Sequence, residues 1–391
     1  MRPDDATSSV KAAAHHELTR HAESLVALSH RLHAHPELGF EEELACSWLA
    51  DELAGHGFVV ERGVCELPTA WTATAGTGPL VIGICAEYDA LPGIGHACGH
   101  NVIAAAAAGA GLALARVADD LGITVKVIGT PAEENGGGKA LMLARGGFDG
   151  VHAAMMVHPA PHERLAPAAL ARAQLQVEYE GRPAHASAAP EDGINAADAL
   201  TVAQVAIGLL RQHIPAGQRI HGIITEGGQA ANVVPAHTEA SYYLRAANLA
   251  ELQALDVRVR ACFEAGAVAT GARLALSSPS PAYTEFRHDP DLVEAYGRNA
   301  VALGRVFPVL TAAEERMIAS TDMGNVSLAI PAIQPLIDIG SGTVGQHQAE
   351  FAAFAIGPAA DRALLEGAAA LAWTAVDAAL DRRVRDRLLA G

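Results

Sequence analysis

The fold is decided by the stretch PLVIGICA at residues 79–86, which is a continuous apolar run. Such a run is typical of a strand that is buried on both faces of a sheet. An Ala-rich helix is predicted from Asn101 to Arg116, and the largely apolar run ITVKVIG predicts a second buried strand from Ile123 to Gly129. Strand, helix and strand in this order predict a parallel α/β sheet, in which functional groups gather at the carboxyl ends of the strands.

The chain changes character over residues 174–280, where the pattern predicts a separate module. From Gln174 onward apolar and polar residues alternate, as in a strand with one exposed face. A helix, two strands, a second helix and a last strand follow over residues 195–212, 219–226, 237–245, 249–265 and 273–277. The resulting order βαββαβ is that of a ferredoxin-like unit. We therefore expect an inserted domain at 174–280, between two parts of an α/β catalytic domain at 1–173 and 281–391.

Composition excludes several classes of function. The 391 residues include 27 Lys+Arg and 44 Asp+Glu, and a net charge of −17 gives no attraction for nucleic acid or anionic lipid. Residues 1–20 contain no apolar core of a signal peptide, and the longest apolar run, Val102 to Ala115, is shorter than the ~20 residues of a membrane span. The five cysteines include no CxxC pair, which fits a reducing compartment. The sequence therefore predicts a cytoplasmic protein that binds neither nucleic acid nor a membrane.

The densest cluster of chemical groups directly follows the first predicted strand. It consists of EYDALP at 87–92 and HACGHN at 96–101. Cys98 and His100 are two residues apart, so in an extended segment both side chains face one way, as does that of His96. Thiolate, imidazole and carboxylate are the ligands that Zn²⁺ prefers. The cluster therefore indicates a metal site. A buried thiol beside a hydrogen-bonded histidine is one alternative, and a Cys98 nucleophile paired with a histidine is another.

Three further signals lie at other points of the chain. The segment TPAEENGGG at 130–138 follows the second predicted strand, and its adjacent Glu133 and Glu134 project in different directions. One of them can bind a metal while the other acts as a general base, although a solvated acidic turn is the alternative. His158 ends an apolar strand, and His347 lies near the C-terminus. Each signal is weak alone, and together they predict a hydrolase with two metal ions.

Six motifs, in order along the chain, resemble those of a known family. They are RLHAHPELGFEE (31–42), ACGH (97–100), PAEE (131–134), GRPAHA (181–186), ANVVP (231–235) and STDMGNVS (320–327). In them the sequence resembles the aminoacylase/carboxypeptidase metallopeptidase family of clan MH. Within that family it is similar to the amidohydrolase branch of the aminoacylase-1-like-2 and p-aminobenzoyl-glutamate hydrolase type. The resemblance implies an α/β fold with a zinc-peptidase-like catalytic domain and an inserted dimerisation or lid domain, through which two copies form a homodimer.

The resemblance also implies roles for individual residues. The family's metal ligands match Cys98, His100, Glu134, His158 and His347. Its general base matches Glu133, and Asp89 matches an acid that orients a ligand through a hydrogen bond. His185, in the inserted domain, matches a residue that reaches into the partner subunit's site and helps to stabilise the oxyanion. A histidine in a surface loop is the alternative for His185.

Two residues of the inserted domain match groups that contact the substrate. They are Asn232, for the carbonyl, and Arg245, for the carboxylate. A guanidinium is suited to holding a carboxylate through two hydrogen bonds, whereas a salt bridge at the strand end is the alternative for Arg245. The sequence departs from the family at Asn101, where the auxin-conjugate hydrolases have Asp, and at Gln334, where relatives often have His. We assign no role to either residue or to His96.

We therefore predict a metal-dependent amidohydrolase. Its substrate is a small-molecule amide, either an N-acyl or N-aroyl amino acid of the p-aminobenzoyl-glutamate kind or a small dipeptide of the β-alanyl kind. Two divalent ions are the predicted cofactors, with Zn²⁺ first and Mn²⁺ as the alternative. Hydrolysis of a non-peptide C–N bond, in a ureido acid or an aromatic amine, is the alternative function. A non-catalytic binding protein is disfavoured, because Glu133 and every ligand position are filled.

Overall fold

A computed structural model describes residues 3–309, 311 and 319–391 of the chain. The chain divides into two compact units. The first comprises the chain up to Ala168 and from Phe286 onward, and the second is the insert Ala169–Glu285. The predicted insert, 174–280, lies inside the second unit.

The described residues form both helices and strands. The helices are α1 (Pro3–Arg20), α2 (Ala22–Ala34), α3 (Glu43–Gly55), α4 (His100–Ala115), α5 (Ala118–Leu121), α6 (Gly138–Ala144), α7 (Ala196–Leu210), α8 (Leu249–Thr270), α9 (Pro290–Ala302), α10 (Met323–Ala329), α11 (Phe351–Phe354), α12 (Pro358–Leu380) and α13 (Arg382–Ala390). The strands are β1 (Val59–Arg62), β2 (Trp71–Ala75), β3 (Leu80–Ala86), β4 (Ile123–Gly129), β5 (Ala153–Met155), β6 (His158–Ala160), β7 (Ala171–Glu180), β8 (Arg219–Glu226), β9 (His237–Ala246), β10 (Arg273–Ser277), β11 (Ala332–Ile333) and β12 (Leu336–Asp338).

The first unit is built on a sheet with a parallel centre. Its strand order is β1-β2-β4-β3-β5-β11. Strand β3 runs parallel to β4 and β5, β11 runs parallel to β5, and only the β1 and β2 side is antiparallel. The central strands β3 and β4 occupy the predicted segments and carry buried apolar side chains. The predicted α/β fold with a mostly parallel sheet is thereby confirmed.

Small residues let the helices of this unit pack closely. Helix α4 is buried from His100 to Leu114, and a Cβ atom on Gly111 would lie 2.5 Å from Val127 of β4. Helix α12 is long and apolar enough to cross a membrane by length and composition, but 72% of its apolar window is buried inside the protein. Its alanines pack in the same core as those of α4. Burial of this kind is what the core helix of a folded domain shows.

The insert is a four-stranded antiparallel sheet with two helices. Its elements follow the order β7, α7, β8, β9, α8, β10, and the sheet order is β10-β7-β9-β8. Along β9 buried and half-buried residues alternate, and the buried set packs with the two helices in a core of its own. Asn195 and Asn248 cap α7 and α8 by accepting hydrogen bonds from backbone N–H groups of the first turn. The predicted ferredoxin-like order is confirmed.

The strand that was predicted to end at His158 has a different course. Strand β5 ends at Met155, and His158 begins β6, which lies in a separate two-stranded sheet. In that sheet β6 pairs in parallel with β12, with His158 opposite Leu336. The backbone N–H of His158 donates to the carbonyl of Pro335. The prediction was wrong at this point because the apolar run MMVH continues through the step from one sheet to the other.

Candidate metal centre

The candidate centre lies at the carboxyl ends of the central strands of the first unit. Glu87 and Asp89 directly follow β3, and the segment with Glu133 and Glu134 follows β4. His158 follows the end of β5. Because these strands are parallel neighbours, their carboxyl ends lie at one edge of the sheet and bring the three segments together.

The local geometry of Cys98 and His100 differs from the prediction. Cys98 lies in a turn and His100 is the first residue of α4, so the segment is not extended. Gly99 between them has a left-handed backbone with φ of 80°, which glycine adopts without strain. A Cβ atom at Gly99 would also lie 2.9 Å from Pro159. Both side chains still reach the same site, because the turn and the start of the helix replace the predicted strand alternation.

Five predicted ligands come together in two overlapping groups. In each group the ligand atoms lie within 4.8 Å of one another. The groups are Cys98 with His100 and His158, and Cys98 with Glu134 and His347. His347, although more than half exposed, is held by its backbone N–H, which donates to the carbonyl of Ala97. The shared thiol gives the cluster the arrangement expected of two neighbouring ions.

The distances within the cluster suit metal ligands. The Glu134 carboxylate lies 3.7 Å from Nε2 of His100 and 3.3 Å from Nε2 of His347, and Sγ of Cys98 lies 3.5 Å from Nε2 of His158. Tetrahedral ligands at about 2.0–2.2 Å from an ion are roughly 3.3–3.6 Å apart. Among the described residues, Nε2 of the fully buried His100 has no hydrogen-bond partner. The donor set therefore fits divalent cations.

Hydrogen bonds fix the orientation of two imidazoles. Nδ1 of His100 lies 3.0 Å from Oδ1 of Asp89, and Nδ1 of His158 lies 2.8 Å from the carbonyl oxygen of Pro159. When Nδ1 donates to these oxygens, Nε2 of each ring is left to bind a cation. Burial would raise the pKa of Asp89, but the neighbouring His100 lowers it below its usual value. Asp89 therefore stays charged and orients His100.

The adjacent acids Glu133 and Glu134 differ in their electrostatic environment. Burial, and then the negative charge of Glu87, raises the pKa of Glu133 well above its usual value. Burial also acts to raise the pKa of Glu134, but the hydrogen bond from His347 and the charges of His100 and His347 together lower it below its usual value. Two neighbouring carboxyls with diverging pKa values are typical of groups that have different roles in a reaction. Oε2 of Glu133 lies 4.0 Å from Nε2 of His100, so this carboxyl faces the same site.

The backbone before these acids is held in an unusual conformation. Ala132 has a φ of 56°, a left-handed value that non-glycine residues rarely adopt. Its N–H donates to Oε1 of the buried Glu42 at 2.7 Å, and Thr69 donates to the other oxygen at 2.9 Å. Burial, with the charge of Asp89, raises the pKa of Glu42 to about 7. Glu42 thus fixes the turn that precedes Glu133 and Glu134.

Cys98 does not have the environment of an enzymatic nucleophile. Its side chain is buried, and burial raises the pKa of the thiol well above its usual value in the metal-free protein. Reactive cysteines have lowered pKa values and partly exposed thiols. The alternative of a Cys–His nucleophile is therefore disfavoured.

A buried ion-pair network behind the centre was not predicted. Nζ of Lys139 lies 2.5 Å from Oε1 of Glu87 and 2.7 Å from Oδ1 of Asp322, and all three side chains are fully buried. Glu87 and Asp322 lie inside recognisable motifs, but no role was predicted for either. The available signal was Lys139 itself, a charge in the otherwise apolar run GKALMLA.

No role was predicted for Asn101, His96 or Gln334. Nδ2 of Asn101 donates to Oγ of Ser29 and to the carbonyl of Ala355, each at 2.9 Å, so it joins helices rather than ligands. Burial lowers the pKa of His96 to about 3, and this neutral ring belongs to none of the ligand groups above. The prediction for His96 assumed an extended segment, whereas the segment is a turn. Gln334 is buried in the first unit.

The other predicted site residues lie in the insert. His185 and Asn232 are exposed on two loops that meet, since the N–H of Ala186 donates to the carbonyl of Asn232 at 3.0 Å. Arg245 lies in β9, where its Nε is 3.3 Å from Nε2 of His221. Burial lowers the pKa of Arg245, and the charge of Arg172 adds to this. Their roles toward a substrate stay predictions.

The fold and the cluster define a class of hydrolase. Residues 83–375 match peptidase family M20/M25/M40. The chain therefore belongs to this family, and it is a hydrolase that acts on amide bonds. The predicted family and enzyme class are confirmed.

Individual relatives resemble the chain over most of its length. The Xaa-Arg dipeptidase of Mus musculus is 37% identical over 380 residues, which cover 91% of this chain and 86% of that protein. One of the subunits of the p-aminobenzoyl-glutamate hydrolase of Escherichia coli is 36% identical over 257 residues, covering 60% of this chain and 53% of that protein.

Solved structures share the fold. The aminobenzoyl-glutamate utilization protein of Klebsiella pneumoniae superposes with a TM-score of 0.71 at 22% identity, covering 93% of this chain and 98% of that one. A dinuclear metal-binding peptidase of the M20 family from Bacillus subtilis gives a TM-score of 0.64 at 21% identity, with coverage of 92% and 99%.

Proposed function

We propose that the chain is a cytoplasmic, dinuclear metal amidohydrolase that cleaves N-acyl or N-aroyl amino acids or small dipeptides. The observation that carries the proposal is the pair of ligand groups that share Cys98 beside the buried Glu133. When bound, two divalent ions supply Lewis-acid activation of a water and of the substrate carbonyl. Zn²⁺ is the proposed metal because a thiolate and imidazoles are ligands that it prefers, and Mn²⁺ is the second candidate.

Residues of the first unit perform the proton transfers in this proposal. Glu133 takes a proton from the attacking water and passes it to the leaving nitrogen. Asp89 keeps Nδ1 of His100 protonated, so that Nε2 faces the cluster. Glu42 holds the turn at Ala132 that leads into the two acids. In this proposal Glu133 stays available as the base while Glu134 binds metal.

Residues of the insert recognise the substrate in this proposal. Arg245 holds the free carboxylate of the amino acid, Asn232 contacts the carbonyl, and His185 stabilises the oxyanion. The names of the relatives above, a dipeptidase and an aminobenzoyl-glutamate hydrolase, support a substrate with an amide bond next to such a carboxylate.

The test is hydrolysis of a substrate panel with controlled metal content. We expect the purified protein to cleave members of a panel of N-acetyl, N-benzoyl, p-aminobenzoyl and β-alanyl amino acids and Xaa-Arg dipeptides. Activity should vanish after chelation and return with Zn²⁺ or Mn²⁺. Mg²⁺ is the matched control ion, because it prefers oxygen ligands and should not restore activity. Turnover that survives complete removal of metal would refute the proposed function.

We also propose that two copies associate through the insert. Strand β8 is at the edge of its sheet and exposes Ile223 to 66%, and α7 exposes Leu209 to the same extent. An edge strand with exposed apolar residues is a surface that a second chain can cover.

Charge on this surface should break the dimer. We expect Ile223→Glu to shift the mass measured by light scattering after gel filtration from two chains to one, because a carboxylate would be buried without a partner. Val268→Glu is the matched control, since Val268 is an apolar residue of α8 in the same unit and is 85% exposed. A wild-type protein that is monomeric at micromolar concentration would contradict the proposal.

A further inference from the structure

We propose that Glu87 is an additional metal ligand of this centre and that Lys139 holds its carboxylate in position. The inference rests on the proposed function, because it assumes that divalent ions bind the cluster. Glu87 directly follows β3, and its side chain is fully buried. Together with His100 and Glu133 it forms a third group of ligand atoms within 4.8 Å of one another.

The two carboxylate oxygens of Glu87 have different surroundings. Oε1 accepts a hydrogen bond from Nζ of Lys139. Oε2 is buried, and within residues 3–309, 311 and 319–391 no group forms a hydrogen bond with it. Oε2 of Glu87 lies 3.6 Å from Nε2 of His100, which also has no hydrogen-bond partner among the described residues. Two buried polar atoms of this kind are rarely left unsatisfied, and a shared cation would satisfy both.

The distance between these atoms distinguishes a shared ion from a hydrogen bond. A hydrogen bond between nitrogen and oxygen is about 2.7–3.2 Å long. The 3.6 Å between Oε2 of Glu87 and Nε2 of His100 exceeds that range and is close to the separation of two tetrahedral ligands of one ion. The contact therefore resembles that of Glu134 with His100, at 3.7 Å, rather than that of Asp89 with His100, at 3.0 Å.

Lys139 is anchored so that it can position Glu87. Its backbone N–H donates to Oδ2 of Asp322 at 2.8 Å, and its Nζ donates to Oδ1 of the same carboxylate at 2.7 Å. Both ends of the lysine are thus tied to one residue, and the ammonium has a fixed place from which to hold Oε1 of Glu87. Lys139 carries one positive charge against two carboxylates, so a negative charge remains to be balanced on the side of Glu87 that faces the cluster.

The test is the metal affinity of Glu87→Gln, measured by competition with a coloured chelator, together with metal content by mass spectrometry. Gln has the same shape, and its amide oxygen can still accept from Lys139, but it is a poor ligand for these ions. We expect the affinity for one of the two ions to fall by at least ~10-fold. Losses of that size are typical even when only a residue that hydrogen-bonds a metal ligand is removed. The visible spectrum of the Co²⁺-substituted protein should change as well.

Glu163→Gln is the matched control. Glu163 is also buried in the first unit and paired with a cation, Arg305 at 3.1 Å, but belongs to none of the ligand groups above. We expect its two metal affinities to stay within about threefold of the wild type, a margin well below the ~10-fold effect expected for a ligand. If Glu87→Gln does not fold, Glu87→Asp is the second variant. It keeps the negative charge beside Lys139, but its side chain is one methylene shorter and its carboxylate lies farther from the cluster, so the same loss of metal affinity is expected.

The possible results separate this inference from the proposed function. Unchanged affinity and an unchanged Co²⁺ spectrum in the folded Glu87 variant would overturn the role of Glu87 while leaving the dinuclear hydrolase intact. Equal losses in the Glu87 and Glu163 variants would also overturn it, because the effect would then be one of general stability. A wild-type protein that binds no Zn²⁺ or Mn²⁺ would overturn both proposals.

Discussion

Glu133→Gln is expected to keep its metal ions and to lose at least ~100-fold in kcat, the usual contribution of a general base. The amide cannot accept the proton of the attacking water or deliver it to the leaving nitrogen. The change is nearly isosteric and leaves Glu134 and the imidazoles in place. Steady-state kinetics on the best substrate of the panel, with metal content measured on the same sample, would test it.

Glu350→Gln is the control for this experiment. Glu350 is an exposed carboxylate near His347 in the sequence, and its loss should leave kcat within about twofold, since surface substitutions usually have small effects. If Glu133→Gln were to hydrolyse substrate at the wild-type rate with its full metal content, Glu133 would not be the base.

Lys139→Met is expected to cause the largest loss of stability. It leaves the fully buried carboxylates of Glu87 and Asp322 without their counter-charge. Breaking a buried ion pair by removing one partner typically costs about 3–5 kcal/mol. Urea unfolding of the metal-free protein would measure the change. Lys126→Met is the control, because the half-buried Lys126 donates to the neutral carbonyl of Gly147 at 3.3 Å and its loss should cost about 1 kcal/mol.

The loss of stability in Lys139→Met should depend on pH. Burial raises the pKa of Asp322 from 3.8 to about 6 even with Lys139 present. An acid with a raised pKa binds more protons in the folded state, so its contribution to stability falls as the pH rises from the unfolded value through the folded one. Without Lys139 that pKa rises further. The loss of unfolding free energy caused by Lys139→Met should therefore be larger at pH 8 than at pH 5.5. A loss that does not depend on pH would contradict this explanation.

The central sheet could be predicted because its signal is local. The runs at β3 and β4 are apolar throughout most of their length, and a strand buried on both faces is what such a pattern over seven residues indicates. The insert was predictable for a related reason, because the alternation of more buried and less buried residues along β7 and β9 is typical of strands with one buried face. His158 was misplaced because its apolar run does not record where one sheet ends and another begins.

The buried network behind the centre could not be predicted from local pattern. Glu87, Lys139 and Asp322 are far apart in the sequence, and the fold brings together the start of α6, the residue before α10 and the residue after β3. Lone charged residues in apolar segments are more often at the surface than in a buried pair. The turn at Cys98 escaped prediction because strand alternation was assumed where Gly99 adopts a left-handed backbone.

The wide spacing of the ligands along the chain bears on when metal can be loaded during biosynthesis. Cys98, His100, Glu134 and His158 precede the insert Ala169–Glu285, whereas His347 follows it. A nascent chain leaves the ribosome from its N-terminus, and domains fold as they emerge. Four ligands are therefore synthesised before the insert, and the fifth is made only after it. Complete loading of the centre therefore has to wait until the segment with His347 has been made, and a chain that terminates early inside the insert would hold an open, incomplete site.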